Sequence, residues 1–171
     1  ILKENKVNEE NSTAFLRHMM MYEDKPLITS PEQFSSNAQS ATDNSDFKHL
    51  LDGDMNTLFH SLWKKDFCSP QTTGLGYHNL QVKLKEPVQK FYFTYRGRSD
   101  AKWHDNPNDI VIYATNDDAL GQQTDSKTSD KWTLIKEINS GFPSNVSAPV
   151  YTSPNIDMGA PYKYIRFVVK N

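Results

Sequence analysis

Leu50-Leu51-Asp52-Gly53-Asp54-Met55-Asn56-Thr57-Leu58-Phe59-His60-Ser61 crowds carboxylate, amide and hydroxyl oxygens around a glycine, between a Leu-Leu pair and a Phe-His-Ser. Oxygens at that density, on a chain bent by a glycine, can surround a hard cation such as calcium. The alternative is that Asp52 and Thr57 hydrogen-bond the loop's own amides, as Asp and Thr do in turns. Both readings make this a pinned turn, with an aromatic and an imidazole beside it where a ligand can be gripped. Such a turn suggests a recognition module more than an enzyme.

Working outward, the chain after Asn79 is a series of short strand-period runs. These are Leu80, Val82, Leu84; Phe91, Phe93, Tyr95; Ile110, Ile112 with Val111, Tyr113; Trp132, Leu134, Ile138; and Ile165, Phe167, Val169. Each is bounded by Pro, Gly or Asn/Asp, and no strand-helix alternation lies between them. An all-β antiparallel sandwich or jelly roll is expected. Ser30–Asn37 and the polar tract to Asp46 read as turns, and Gly121–Asp130, wholly polar, as an exposed loop. Upstream, Phe15, Leu16, Met19 and Tyr22 recur at helical spacing from Glu9 to Glu23, with Asn8 as cap. The expected organisation is a short N-terminal helix and linker over 1–27, then the sandwich over 28–171.

At 171 residues the chain is long enough for one domain with its own core. Its net charge of −2, from 19 basic and 21 acidic residues, supplies no field for nucleic acid. No apolar run is long enough to span a bilayer, and no loop carries the paired apolar tips that membrane insertion needs. Cys68 is the only cysteine, so no internal disulfide forms. Nothing around it marks an activated thiolate, even with His78 as a base. Asp105/Asp109 and Asp117/Asp118 sit in polar loops with no apolar residue to raise one pKa, and the histidines lack zinc spacing. No catalytic activity is expected.

The order of motifs resembles the discoidin domain, also called the coagulation factor 5/8 type C domain, which overlaps the family 32 carbohydrate-binding modules. The resemblance rests on Leu50-Leu51-Asp52-Gly53-Asp54-x-x-Thr57-x-Phe59-His60-Ser61, then Leu80-Gln81-Val82-x-Leu84. It continues through Tyr95-Arg96-Gly97-Arg98, Pro107-x-Asp109-Ile110-x-Ile112-Tyr113, Trp132-Thr133-Leu134-Ile135 and Tyr162-Lys163-Tyr164-Ile165-Arg166-Phe167. Together these span about 30 to 169.

The resemblance implies an eight-stranded discoidin-like jelly roll whose loops at one end bind ligand. In bacterial members the ligand is a glycan, often with a galactose-type or amino-sugar terminus. The module is then part of a larger chain, extracellular or on the bacterial cell surface. Animal members usually carry a disulfide, so the lone Cys68 favours the bacterial type. The resemblance also implies a structural calcium held by the carbonyls of His49 and Asp54, the Asp52 carboxylate, and Thr57. The family completes that site from a closing acidic strand, which this sequence does not show; the final strand is expected to be missing. The implied sugar contacts are His60, Trp63, Arg98 (with Arg96 as the rival in register), Trp103, Asn106 and Asn108. Tyr77 and His78 stand in reserve. The alternative function is a structural or protein-adhesion domain of a surface assembly that keeps the fold without a sugar site; the Met19-Met20-Met21 face motivates it.

Overall fold

The computed structural model describes residues 20–22, 25–39, 46–54, 56–59, 61, 77–97, 107–143 and 147–170. Its strands are β1 (Met20–Tyr22), β2 (Lys25–Pro26), β3 (Phe34–Ser35), β4 (Asn79–Arg96), β5 (Ile110–Thr115), β6 (Thr133–Ile138), β7 (Val150–Thr152) and β8 (Ile156–Val169). They pair antiparallel in the order β2-β1-β4-β8-β5-β6, with β3 and β7 also pairing along β4.

The two runs around Leu80 and Phe91 are one long strand, and its burial pattern explains how it builds a sandwich. Val82 and Leu84 face inward from even positions, whereas Phe91 and Phe93 do so from odd ones. Side chains alternate with a period of two, so this switch requires a slip in register. The ladder with β8 is irregular between Lys83 and Val88 and again between Val88 and Lys90. Pro87 sits in this interruption, where an exposed proline costs little ladder bonding. β8 makes the same switch, from Ile156 and Met158 to Ile165 and Phe167.

The two halves face each other across the core. Phe167 is paired with Leu80, yet its ring centroid lies 5.1 Å from that of Phe93, farther along β4. A straight strand would separate Leu80 from Phe93 by roughly 40 Å. Between the halves lie Val82, Leu84, Phe91, Ile110, Ile112, Ile156 and Ile165.

The outer face of the sheet is covered as well. Val111, Thr115, Tyr164, Arg166 and Val168 are all buried there. The cover includes helix α1 (Asp118–Gly121) and the 3-10 turn Ser126–Lys131. The exposed-loop expectation for Gly121–Asp130 is therefore corrected, because Gly121, Ser126 and Ser129 are buried. The polar composition is matched by what lies beneath it. Arg166, fully buried, donates to Gln81 Oε1 at 2.9 Å, Ser129 Oγ at 2.8 Å, Thr128 Oγ1 at 3.1 Å, and the carbonyls of Gln123 and Asp125 at 2.6 and 3.2 Å.

The helical expectation is corrected over Met20–Tyr22. Met20 pairs with Phe93 and is fully buried, while Tyr22 is half-exposed. Met20–Tyr22 and Lys25–Pro26 thus lie in the sheet, because pairing with the edge of β4 outweighs weak helical spacing. The rest of the expected helix lies outside the described residues.

Candidate functional site

The oxygen-rich loop forms as a nested set of turns. Asp46 caps the 3-10 turn Phe47–Leu50 by accepting from Lys48 N–H at 2.9 Å. Gly53 then takes φ of 67°, the left-handed conformation that favours glycine. Asp52 Oδ1 accepts from Asp54 N–H at 2.9 Å, and Asp54 Oδ1 accepts from Asn56 N–H at 2.9 Å. Asp52 Oδ2 lies 2.8 Å from Thr57 Oγ1 and 3.0 Å from His49 Nδ1. Phe47 anchors the loop, its ring 5.8 Å from Phe34 and stacked on Phe59 at 5.2 Å. Burial alone pushes the Asp52 carboxyl up, but the hydrogen bonds from Asp54, His49 and Thr57 outweigh it and leave the pKa lowered.

His49, Asp52, Asp54 and Thr57 are thus brought together, and the hydrogen-bonded-turn reading accounts for their side chains. Their fit to a cation is narrower. Thr57 Oγ1 lies 3.1 Å from the Asp54 carbonyl as well as 2.8 Å from Asp52 Oδ2, so three hard oxygens converge. The Asp54 carboxylate is turned to Asn56 instead. Among the described residues no group of three His, Cys, Asp or Glu side chains is placed to hold a metal. Calcium takes six to eight oxygens, so any cation here would depend on carbonyls and the Thr57 hydroxyl around one carboxylate.

A second cluster forms at the end of β4. Tyr95 donates from its hydroxyl to the Pro107 carbonyl at 3.1 Å. Gly97 N–H donates to the Pro149 carbonyl at 2.8 Å. These bonds fasten the end of β4 to the chain entering β5 and to the chain entering β7. Tyr151 lies beside Tyr95, with centroids 5.4 Å apart, and Phe142 stacks on Tyr151 at 4.6 Å. Burial, then the neighbouring Tyr151, pushes the Tyr95 hydroxyl well above its ordinary pKa. It stays protonated as a donor.

Of the expected ligand contacts, Asn108 is exposed directly after Pro107, at this cluster. His60, Trp63, Arg98, Trp103 and Asn106 lie outside the described residues. Arg96, the rival to Arg98, is partly buried opposite Val150. Tyr77 is 46% exposed, and the His78 carbonyl accepts from Val169 N–H. Sequence reasoning did not single out Phe142 or Tyr151. The available signal was the lone aromatic in Gly141-Phe142-Pro143, a turn sequence in which an apolar ring needs a partner.

No protein-family model and no curated protein matches the chain. Solved structures do. The F5/8 type C domain of a Bacteroides fragilis protein superposes with a TM-score of 0.52 at 13% identity, covering 82% of this chain and 83% of that one. The structure of the CBM32-1, CBM32-2 and M60 catalytic domains of Clostridium perfringens ZmpB gives 0.50 at 13% identity, covering 98% of this chain and 14% of that one. The family 32 CBM of C. perfringens NanJ, in complex with galactose, gives 0.49 at 15% identity, covering 92% of this chain and 86% of that one. At such identities the likeness is one of fold, and this chain has the discoidin-like β-sandwich of F5/8 type C domains.

Proposed function

We propose that this chain is a non-catalytic glycan-binding module, gripping a terminal sugar of galactose or amino-sugar type at one end of the sandwich. The observation that carries the reading is the fastening of Gly97 to Pro149 and of Tyr95 to Pro107. Arg98 follows the first junction directly in sequence, and Asn106 and Asn108 flank the second. An arginine and two amides are residue types that suit bidentate recognition of hydroxyls. The fold shared with the F5/8 type C domain and the ZmpB structure supports it. The module would belong to a larger protein, secreted or attached to a bacterial cell surface.

A calcium ion would act structurally, held by Asp52 Oδ2, the Asp54 and His49 carbonyls and Thr57 Oγ1. Its chemistry there is to hold the loop. Calcium should raise the melting temperature, and Asp52→Ala should abolish that shift.

Titration calorimetry against galactose, N-acetylgalactosamine and their glycosides tests the function. One shallow sugar buries little area, so Kd should be roughly 0.1–1 mM. Arg98→Ala and Asn108→Ala should each weaken binding about tenfold, the effect of losing one charge-assisted or well-placed hydrogen bond. Absence of binding across a broad glycan array would overturn the reading and leave the adhesion-domain alternative.

A further inference from the structure

The Asp52–Gly53 bond is open to a reaction internal to the chain. The Gly53 backbone nitrogen attacks the carbon of the protonated Asp52 carboxyl and gives up its proton, the carboxyl hydroxyl leaves with that proton as water, and a five-membered succinimide forms. Water then opens the ring at either carbonyl, restoring aspartate or yielding isoaspartate, with the backbone rerouted through the side chain. The step consumes no co-reactant. Glycine favours it, because no Cβ shields the attacking nitrogen.

The loop restrains it. Ring closure requires the Asp52 carboxyl carbon to bond the Gly53 nitrogen, and contacts that fix the carboxylate slow that motion. Both carboxylate oxygens are held: Oδ1 by Asp54 N–H at 2.9 Å, Oδ2 by Thr57 Oγ1 at 2.8 Å and His49 Nδ1 at 3.0 Å. Each contact limits the freedom of the carboxyl to bend onto the nitrogen. We propose that Asp52 is a latent isoaspartate site, and that Thr57 and His49 lock its carboxylate and protect the bond in the folded chain. Isomerisation would withdraw the carboxylate from these partners and lengthen the backbone by a methylene, so each event would dismantle the loop.

The test incubates the full chain for weeks in warm, near-neutral buffer and quantifies isoaspartate at Asp52 by fragmentation mass spectrometry. Four samples are compared: native wild type, wild type unfolded in urea, Thr57→Val and Thr57→Ser. The expected order is slow native protein, a fast unfolded chain, and Thr57→Val accelerated about tenfold, the factor associated with one hydrogen bond to a charged group. Thr57→Ser, which keeps the hydroxyl, should match wild type. Native protein isomerising as fast as the unfolded chain would overturn the proposal. So would a Thr57→Val rate equal to that of wild type, with folding of each variant checked by circular dichroism. If Thr57→Val unfolds, His49→Phe supplies the same comparison through the other donor.

Discussion

The Arg166 guanidinium carbon lies 4.0 Å from the centroid of the Trp132 ring, both residues being buried. This pair fastens the segment from α1 to Trp132 onto the outer face of the sheet. Among the described residues no carboxylate forms an ion pair with Arg166; its donors are met by carbonyls, hydroxyls and the Gln81 amide oxygen. Burial lowers its pKa to about 10, which still leaves it charged at neutral pH. Arg166→Met would leave several buried acceptors unpaired, and stability should fall by about 3 kcal/mol or more. Arg166→Lys should not rescue it, because a point charge cannot span the fork. Urea midpoints check this, and a loss below about 1 kcal/mol would contradict it.

Tyr164 and Asp118 should govern stability at the extremes of pH. The Tyr164 hydroxyl donates to Asp118 Oδ1 at 2.7 Å. That bond first, then Lys163, lowers the Asp118 pKa. Burial first, then Asp118, raises Tyr164 to about 12. A depressed carboxylate stabilises above its unfolded pKa, and the gain is lost as pH falls through the folded value. A raised phenol stabilises below its unfolded pKa and loses that gain as pH rises from about 10 to about 12. Tyr164→Phe should flatten both limbs of a stability–pH profile. A phenolate absorbance step near pH 10 that is present in the native wild type and lost in Tyr164→Phe would count against this.

Gly121 should not tolerate even alanine. A Cβ there would lie 2.5 Å from Tyr164 Cγ, and the ring beneath it is buried. Overpacking of this kind typically costs about 1–3 kcal/mol. Thermal unfolding of Gly121→Ala checks the loss; an unchanged melting temperature would mean that the cover lifts freely.

Ala148 has φ of 48°, the left-handed region that a β-carbon disfavours. Ala148→Gly relieves that strain but adds freedom to the unfolded chain, so stability should change by less than about 1 kcal/mol, in the favourable direction. Ala148→Val should destabilise by about 1 kcal/mol or more, because branching at Cβ worsens the same clash. Equal melting temperatures for the two variants would contradict the assignment.

Leu80, Val82, Phe91, Ile112 and Phe167 announced their strands by alternation, because a half-buried pleat forces that pattern on local sequence. Asp52, Gly53 and Thr57 were equally legible, since their bonds close within a few residues. Leu134 shares the alternating set of Trp132 and Ile138, yet it is 61% exposed whereas they are buried. Alternation tells which residues share a face but not which face is covered.

Sequence by itself determined the all-β class, the pinned turn at Asp52–Thr57 and the resemblance to the discoidin fold. Those depend on interactions between near neighbours in the chain. Tertiary structure alone decided that β4 is one bent strand, that Met20 joins the sheet, and that Arg166 lies buried beneath Ser129 and Trp132. It also decided that Tyr95, Tyr151 and Phe142 meet beside Pro107. An arginine or a serine is placed inside only when distant segments bring the matching donors and acceptors together, and no local pattern records that encounter.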